Sequence, residues 1–168
     1  MRLDITYPSE EKYVLSDEFR VSVYTVAVHP TNDSVRTVTK AGQAEDEMLA
    51  KFVFRTFRLD KVVFRGKERD VGAWLQKKRF SSTRTWTSAN ERTYSWSPTG
   101  VSSLTLKNAS GEELGRSHST SRGLVGKEKH GPYIELGDSD QIFADLDEIV
   151  VTWLYLKERE RMDRGGAP

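Results

Sequence analysis

The stretch Asp145-Leu146-Asp147-Glu148-Ile149-Val150-Val151-Thr152-Trp153-Leu154-Tyr155-Leu156 passes abruptly into Lys157-Glu158-Arg159-Glu160-Arg161. This pattern predicts a helix over 145–161. Asp145 followed by Glu148 has capping-box spacing, although Asp stands where Ser or Thr is usual. Asp145, Asp147 and Glu148 at the start, and Lys157, Arg159 and Arg161 at the end, complement the helix dipole. Between them Ile149, Val150, Val151, Trp153, Leu154, Tyr155 and Leu156 are distributed around the whole axis. A surface helix carries an apolar stripe, whereas one apolar on every side must be enclosed. Burial at about 1.5–3 kcal/mol per side chain makes Ile149, Val150, Trp153, Leu154 and Tyr155 the expected centre of the core. The alternatives are an amphipathic helix lying on an open sheet, or one docked on a second subunit.

What precedes the helix reads as short strands. Leu3–Tyr7 alternates, with Leu3, Ile5 and Tyr7 on one face; Phe19–Val28 and Val35–Thr39 flank the break at His29-Pro30. Gln43–Met48 is acidic and reads as a loop or one helical turn. Phe52–Phe57 and Lys61–Arg65 predict a hairpin across Arg58-Leu59-Asp60, ended by Gly66. Val71–Lys78 is ambiguous between strand and helical turn. Arg84–Ser88 and Arg92–Trp96 form the clearest hairpin. A three-residue loop with Asn90 left-handed would pair Trp86 with Tyr94, and Arg84 with Trp96 as a cation–π contact. Leu104–Leu106 and Glu113–Arg116 flank the turn Asn108-Ala109-Ser110-Gly111, and Tyr133–Leu136 is the last strand. About ten such segments at near-regular spacing predict an all-β fold with one helix: an antiparallel β-barrel of about ten to twelve strands enclosing the C-terminal helix.

The combination of Arg84-Thr85-Trp86-Thr87-Ser88, Arg92-Thr93-Tyr94-Ser95-Trp96, Tyr133-Ile134-Glu135-Leu136 and Asp147–Lys157 resembles a family of fungal, mainly mushroom-type, proteins of unknown function. That family is related to the tubby C-terminal and LURP-one-like superfamily, which also takes in phospholipid scramblases. The resemblance runs from about Phe52 onwards and is weakest before it. It implies a barrel threaded by a hydrophobic C-terminal helix, and a surface that uses basic side chains for phosphoinositides. It implies little about activity, because fold does not fix function.

With 168 residues the chain suits one domain, expected over 1–162 with a flexible tail at 163–168. Seven Phe, six Tyr and four Trp argue against disorder. The net charge of +1 gives no global field for nucleic acid or membrane, so any anionic partner needs a local patch. The absence of cysteine leans towards a reducing compartment, and no apolar segment follows Met1 as a signal peptide would require; a cytoplasmic location is expected. The apolar run at Ile149–Leu156 is far shorter than the roughly 20 residues of a membrane-spanning helix.

Chemistry-bearing motifs are sparse. His29, His118 and His130 have no metal-ligand spacing, and no metal or cofactor is expected. Asp138-Ser139-Asp140 lacks the rest of a calcium loop. Gly123-Leu124-Val125-Gly126-Lys127 misses the phosphate-loop pattern, since residue 122 is Arg and Glu128 follows the lysine. Ser117-His118-Ser119 has no nucleophile elbow around it, and adjacent strand residues face opposite ways. Ser119-Thr120-Ser121, a cluster of the kind that phosphorylation can use, lies in the loop-like stretch Arg116–Lys129. No enzyme is expected.

One patch stands out in Lys77-Lys78-Arg79-Phe80-Ser81-Ser82-Thr83-Arg84, with Trp74 and Trp86 at its flanks. Its cations Lys77, Lys78, Arg79 and Arg84 suit an anionic head group or single-stranded nucleic acid, with an aromatic such as Trp86 stacking or inserting. Its competing reading is a charged strand end that protects a sheet edge, with Glu68 and Asp70 neutralising it. The expected function is thus a non-catalytic intracellular binding module whose partner is an anionic lipid, such as a phosphoinositide, or a protein. A carrier holding a small apolar ligand in a cavity inside the barrel is the alternative.

Overall fold

The computed structural model describes residues 1–42, 45–100, 103–119 and 131–164. Gly123–Lys127, His130 and Thr120-Ser121 therefore lie outside the described residues. The strands are β1 (Arg2–Ser9), β2 (Lys12–Ser16), β3 (Ser22–His29), β4 (Asn32–Lys40), β5 (Glu47–Val53), β6 (Lys61–Phe64) and β7 (Lys67–Asp70). A helical turn, α1 (Val71–Trp74), leads to β8 (Gln76–Lys77), β9 (Arg84–Thr87), β10 (Thr93–Pro98), β11 (Leu104–Asn108), β12 (Glu113–His118) and β13 (Tyr133–Leu136). The chain then forms the long helix α2 (Asp140–Asp163).

The thirteen strands among the described residues belong to one sheet in the order β7-β6-β5-β4-β3-β2-β1-β13-β12-β11-β10-β9-β8. Every neighbouring pair is antiparallel. The sheet is barrel-like but not closed by hydrogen bonds, and parity gives the reason. An odd number of strands, each reversing its neighbour, leaves the two edge strands β7 and β8 running in the same direction. A parallel pair needs a crossover of about a dozen residues or more. Here only Val71–Leu75 intervene, so β8 is two residues long and α1 spans the seam.

Inward positions follow the period of two. Leu3 and Ile5, Tyr13 and Leu15, Tyr24 and Val26, Val62 and Phe64, Tyr94 and Trp96, and Ile134 and Leu136 are buried on alternate positions of their strands. They surround α2, in which Ile149 to Tyr155 are all buried without a break. No side of this segment faces solvent, as its all-round apolar pattern requires.

Several expectations change. Among the described residues thirteen strands stand where about ten to twelve are expected; β7 and β8 carry no apolar residue to mark them, and β2 is a five-residue strand around Tyr13-Val14-Leu15. Helix α2 starts at Asp140, not Asp145, because Ser139 is its N-cap and accepts from the Ile142 N–H at 3.4 Å. Asp145 and Glu148 are buried in mid-helix and form no capping box. Asp163 ends the helix and does not begin a tail. Strand β5 starts at Glu47, within the expected acidic loop, and Arg116–His118 belong to β12. Phe19 and Val21 lie in a turn before β3, where the Asp17 carboxylate accepts from both backbone N–H groups; both side chains are exposed. Tyr7 is also exposed, despite sharing the alternation of Leu3 and Ile5. The β9–β10 register pairs Trp86 with Tyr94 and Arg84 with Trp96. The left-handed residue in its loop is Glu91, at φ 60°, because the Asn90 side chain is committed to Asp145. Arg84 does not stack on Trp96; that indole packs against Trp86 and donates to Thr152.

Candidate functional site

Five buried carboxylates join the helix to the barrel wall. Asp145 accepts from the Tyr94 hydroxyl at 2.6 Å, Asn90 at 2.7 Å and Arg92 at 3.1 Å. Asp147 accepts from Tyr24 at 2.7 Å, Lys40 at 2.8 Å and Arg65 at 2.8 Å. Glu148 accepts from the Trp74 indole and the Ala89 backbone, both at 3.1 Å, and Glu158 takes the Arg36 guanidinium at 2.8 Å. Asp60, on the wall side, accepts from the Tyr155 hydroxyl at 2.7 Å and lies 3.3 Å from Arg159.

Burial raises the Asp145 carboxyl, but its bonds to Tyr94, Asn90, Arg92 and Ser88 outweigh that and hold it below the usual carboxylate range. Asp147 behaves alike, with burial opposed by Lys40, Tyr24 and Arg65. The tyrosines shift the other way: Tyr94 is pushed up to about 12 by burial and then by Asp145. These are satisfied groups holding an ion or proton in place.

The other candidate lies at the pole of the barrel where α2 ends. Lys77 closes β8, and the chain turns through Lys78, Arg79, Phe80 and Ser81, with Ser81 N–H donating to Lys78 C=O at 3.1 Å. Phe80 sits at φ 57°, a left-handed conformation that bulky residues rarely adopt, and it is 97% exposed. Arg79 lies over its ring at 5.0 Å. Arg84 faces Lys77 in register, and its charge bears on the Tyr155 hydroxyl. Among the described residues Lys77, Lys78, Arg79 and Arg84 form no ion pair. The acids expected to neutralise them are not engaged there: Glu68 is taken by Lys61, and Asp70 forms no ion pair among the described residues. Trp86 is not part of this surface. It is 2% exposed and stacks on Tyr94 at 5.4 Å and Trp96 at 6.4 Å.

A model described as a family of unknown function (DUF6593) matches residues 7–162. The chain belongs to that family. No curated protein and no solved structure matches it. In this DUF6593 barrel, a cavity of about 280 Å³ opens at the seam, between Arg69 of β7, Trp74 of α1, Gln76 of β8 and Trp86 and Thr87 of β9. The described residues hold no group of three His, Cys, Asp or Glu that could bind a metal ion. No helix among them is long and apolar enough to cross a membrane.

Two features of the DUF6593 chain escaped the sequence reading. The acids of α2 looked like dipole partners because their hydroxyl and cation donors lie far away in sequence, on β3, β4, β10 and the connecting turns. Phe57 is expected within a strand and Phe80 within the basic stretch between Trp74 and Trp86, yet each is 97% exposed in a loop or turn. Their neighbours held the signal: each is bonded to an arginine, in Phe57-Arg58 and Arg79-Phe80.

Proposed function

We propose that this chain is a non-catalytic intracellular module that binds anionic lipid head groups through the β8–β9 turn. The observation that carries the reading is Phe80. It projects in a left-handed, fully exposed conformation from a turn whose cations no described acid neutralises. Strain and exposed apolar area both oppose that arrangement unless a partner receives the ring. Lys77, Lys78 and Arg79 supply the attraction to an anionic surface, about 1 kcal/mol for each cation close to it. The sequence resembles a fungal family of unknown function, related in turn to the tubby C-terminal and LURP-one-like superfamily. That resemblance implies basic surface side chains that take phosphoinositides, in keeping with this reading.

Sedimentation with vesicles containing phosphatidylserine or a phosphoinositide tests it. The wild-type chain pellets with them and not with neutral vesicles, while Lys77→Glu, Lys78→Glu and Arg79→Glu together abolish pelleting. Equal pelleting by the triple variant removes the proposal. A second reading, a small-ligand carrier, would draw on the seam cavity between Trp74 and Trp86. A small molecule retained by the purified chain in native mass spectrometry would favour it.

A further inference from the structure

We infer that a second loop, between β5 and β6, enters the lipid bilayer beside Phe80, so that the barrel stands on an anionic membrane with the C-terminal end of α2 facing it. This inference rests on the lipid reading above and adds to it a second point of insertion and an orientation.

The two loops share a pole. In the β5–β6 connection Asp60 receives the Tyr155 hydroxyl, and Phe54, just after β5, stacks on the Tyr155 ring at 5.8 Å. On the other side of the seam, β9 starts at Arg84 opposite Trp96, whose indole donates to Thr152 of α2, and the turn that follows β9 reaches the Glu148 level at Ala89. The β8–β9 turn therefore opens at the Tyr155 end as well. Val71, which begins the seam helix, donates its N–H to Asp60 C=O at 2.9 Å, so α1 ties the first loop to the strand that carries the second.

Their chemistry matches. Phe57 is 97% exposed, as is Phe80, and Leu59 is 63% exposed. Three large apolar side chains thus stand largely exposed at one pole. Phe54–Leu59 contains Arg55 and Arg58 and no acid; Gln76–Arg84 contains Lys77, Lys78, Arg79 and Arg84 and no acid. Among the described residues these cations form no ion pair. Apolar tips ringed by unpaired cations suit an anionic bilayer, where the rings enter the acyl boundary and the cations meet phosphate and carboxylate.

The opposite pole supplies the contrast. Phe19, Val21, Met48 and Phe143 are exposed there at 79%, 59%, 58% and 52%. Their own segments carry Asp17, Glu18, Asp46, Glu47 and Asp140, whose charge an anionic surface repels, although Arg20 stands between Phe19 and Val21. The pole where α2 ends also carries acids, Glu10 and Glu11 in the β1–β2 turn and Asp33 at the start of β4. The contrast therefore lies in the two loops themselves: Phe57, Leu59 and Phe80 stand in Phe54–Leu59 and Gln76–Arg84, which carry cations and no acid.

The test uses the full chain and tryptophan reporters. The native tryptophans Trp74, Trp86, Trp96 and Trp153 are all buried, so their response to lipid is small. Phe57→Trp and Phe80→Trp each place an indole at a loop tip, and Phe19→Trp places one at the far pole. With phosphatidylserine vesicles containing brominated phosphatidylcholine, both loop reporters shift to the blue and are quenched, and the Phe19→Trp reporter is not. Phe57→Ser with Leu59→Ser weakens vesicle binding about tenfold or more and leaves the thermal unfolding transition in place, since both side chains are solvent-facing. If Phe80→Trp is quenched and Phe57→Trp is not, the second insertion is wrong while the lipid reading stands. Quenching of Phe19→Trp overturns the orientation. A wild-type chain that pellets with no vesicle overturns both readings.

Discussion

Tyr24 donates its hydroxyl to Asp147 at 2.7 Å across 123 positions of the chain. Tyr24 belongs to the barrel wall and Asp147 to the helix within it, so one bond fixes the rotation of α2 against β3. The same device recurs at Tyr94–Asp145 and, with the roles of wall and helix exchanged, at Tyr155–Asp60. Apolar packing alone does not choose among rotations of a helix that is apolar all round; these directional bonds do.

Tyr24→Phe should lower stability by about 1 kcal/mol, because Lys40 and Arg65 still satisfy Asp147. Asp147→Ala should lower it by about 2–3 kcal/mol, since it strands the buried Tyr24 hydroxyl; Lys40 and Arg65 are partly exposed and recover solvation. Urea denaturation of both variants and of the double variant reads the coupling. The double variant should lose less than the sum, and strict additivity would show that the bond does not lock the helix.

Asp145 and Asp147 both have carboxyl values below the ordinary range. Their contribution to stability is complete above the unfolded value of about 3.9 and is lost as the pH falls through their lower folded values. Melting temperature followed from pH 7 down to about pH 3 should therefore fall most steeply at the acid end. In Asp147→Asn that acid-side slope should be shallower. An unchanged slope would assign the acid sensitivity to other groups.

Arg36 and Glu158 form an ion pair in which both side chains are almost wholly buried. Glu158→Ala leaves the guanidinium without its carboxylate and should destabilise by about 3–5 kcal/mol. Replacing both, as Arg36→Met with Glu158→Leu, should recover most of that loss. Chemical denaturation of the single and paired variants distinguishes a pair that stabilises from one that is only tolerated.

Gly115 lies opposite Leu136 in the β12–β13 ladder. A Cβ at this position would come within 2.6 Å of the Glu135 carbonyl oxygen and 3.1 Å of the Leu136 Cα, so backbone must move. Gly115→Ala should destabilise by about 1–3 kcal/mol and raise amide exchange across β12 and β13. Native protection in that variant would mean that the ladder yields easily.

The enclosed helix was legible in the sequence because Ile149 to Tyr155 leaves no polar side, and the Trp86–Tyr94 register followed from matching aromatic partners. Such patterns are local, and a periodicity of 3.6 or 2 records which face is buried. Strands β7 and β8 were not legible: Lys67–Asp70 carries four charged residues and Gln76–Lys77 is only a pair, so their pairing comes from neighbours supplied by the fold. The helix start at Ser139 was obscured because Asp145 and Glu148 imitate a cap that burial later assigns to other work.

For the candidate site, the sequence placed Lys77, Lys78, Arg79 and Arg84 together because they are adjacent or paired across one hairpin. It could not separate exposed Phe80 from buried Trp86, since both are aromatic residues in a basic stretch. Which ring faces solvent depends on the turn that inverts the backbone at Phe80 and on the stack that holds Trp86. Nor could it bring Phe57 to the same pole, because that juxtaposition exists only once thirteen strands have wrapped around α2. Composition and periodicity determined the class of fold and its axis. The partners of the buried carboxylates, the open seam and the shared pole were decided by tertiary structure, since hydrogen bonds and exposure depend on positions in space that sequence spacing does not encode.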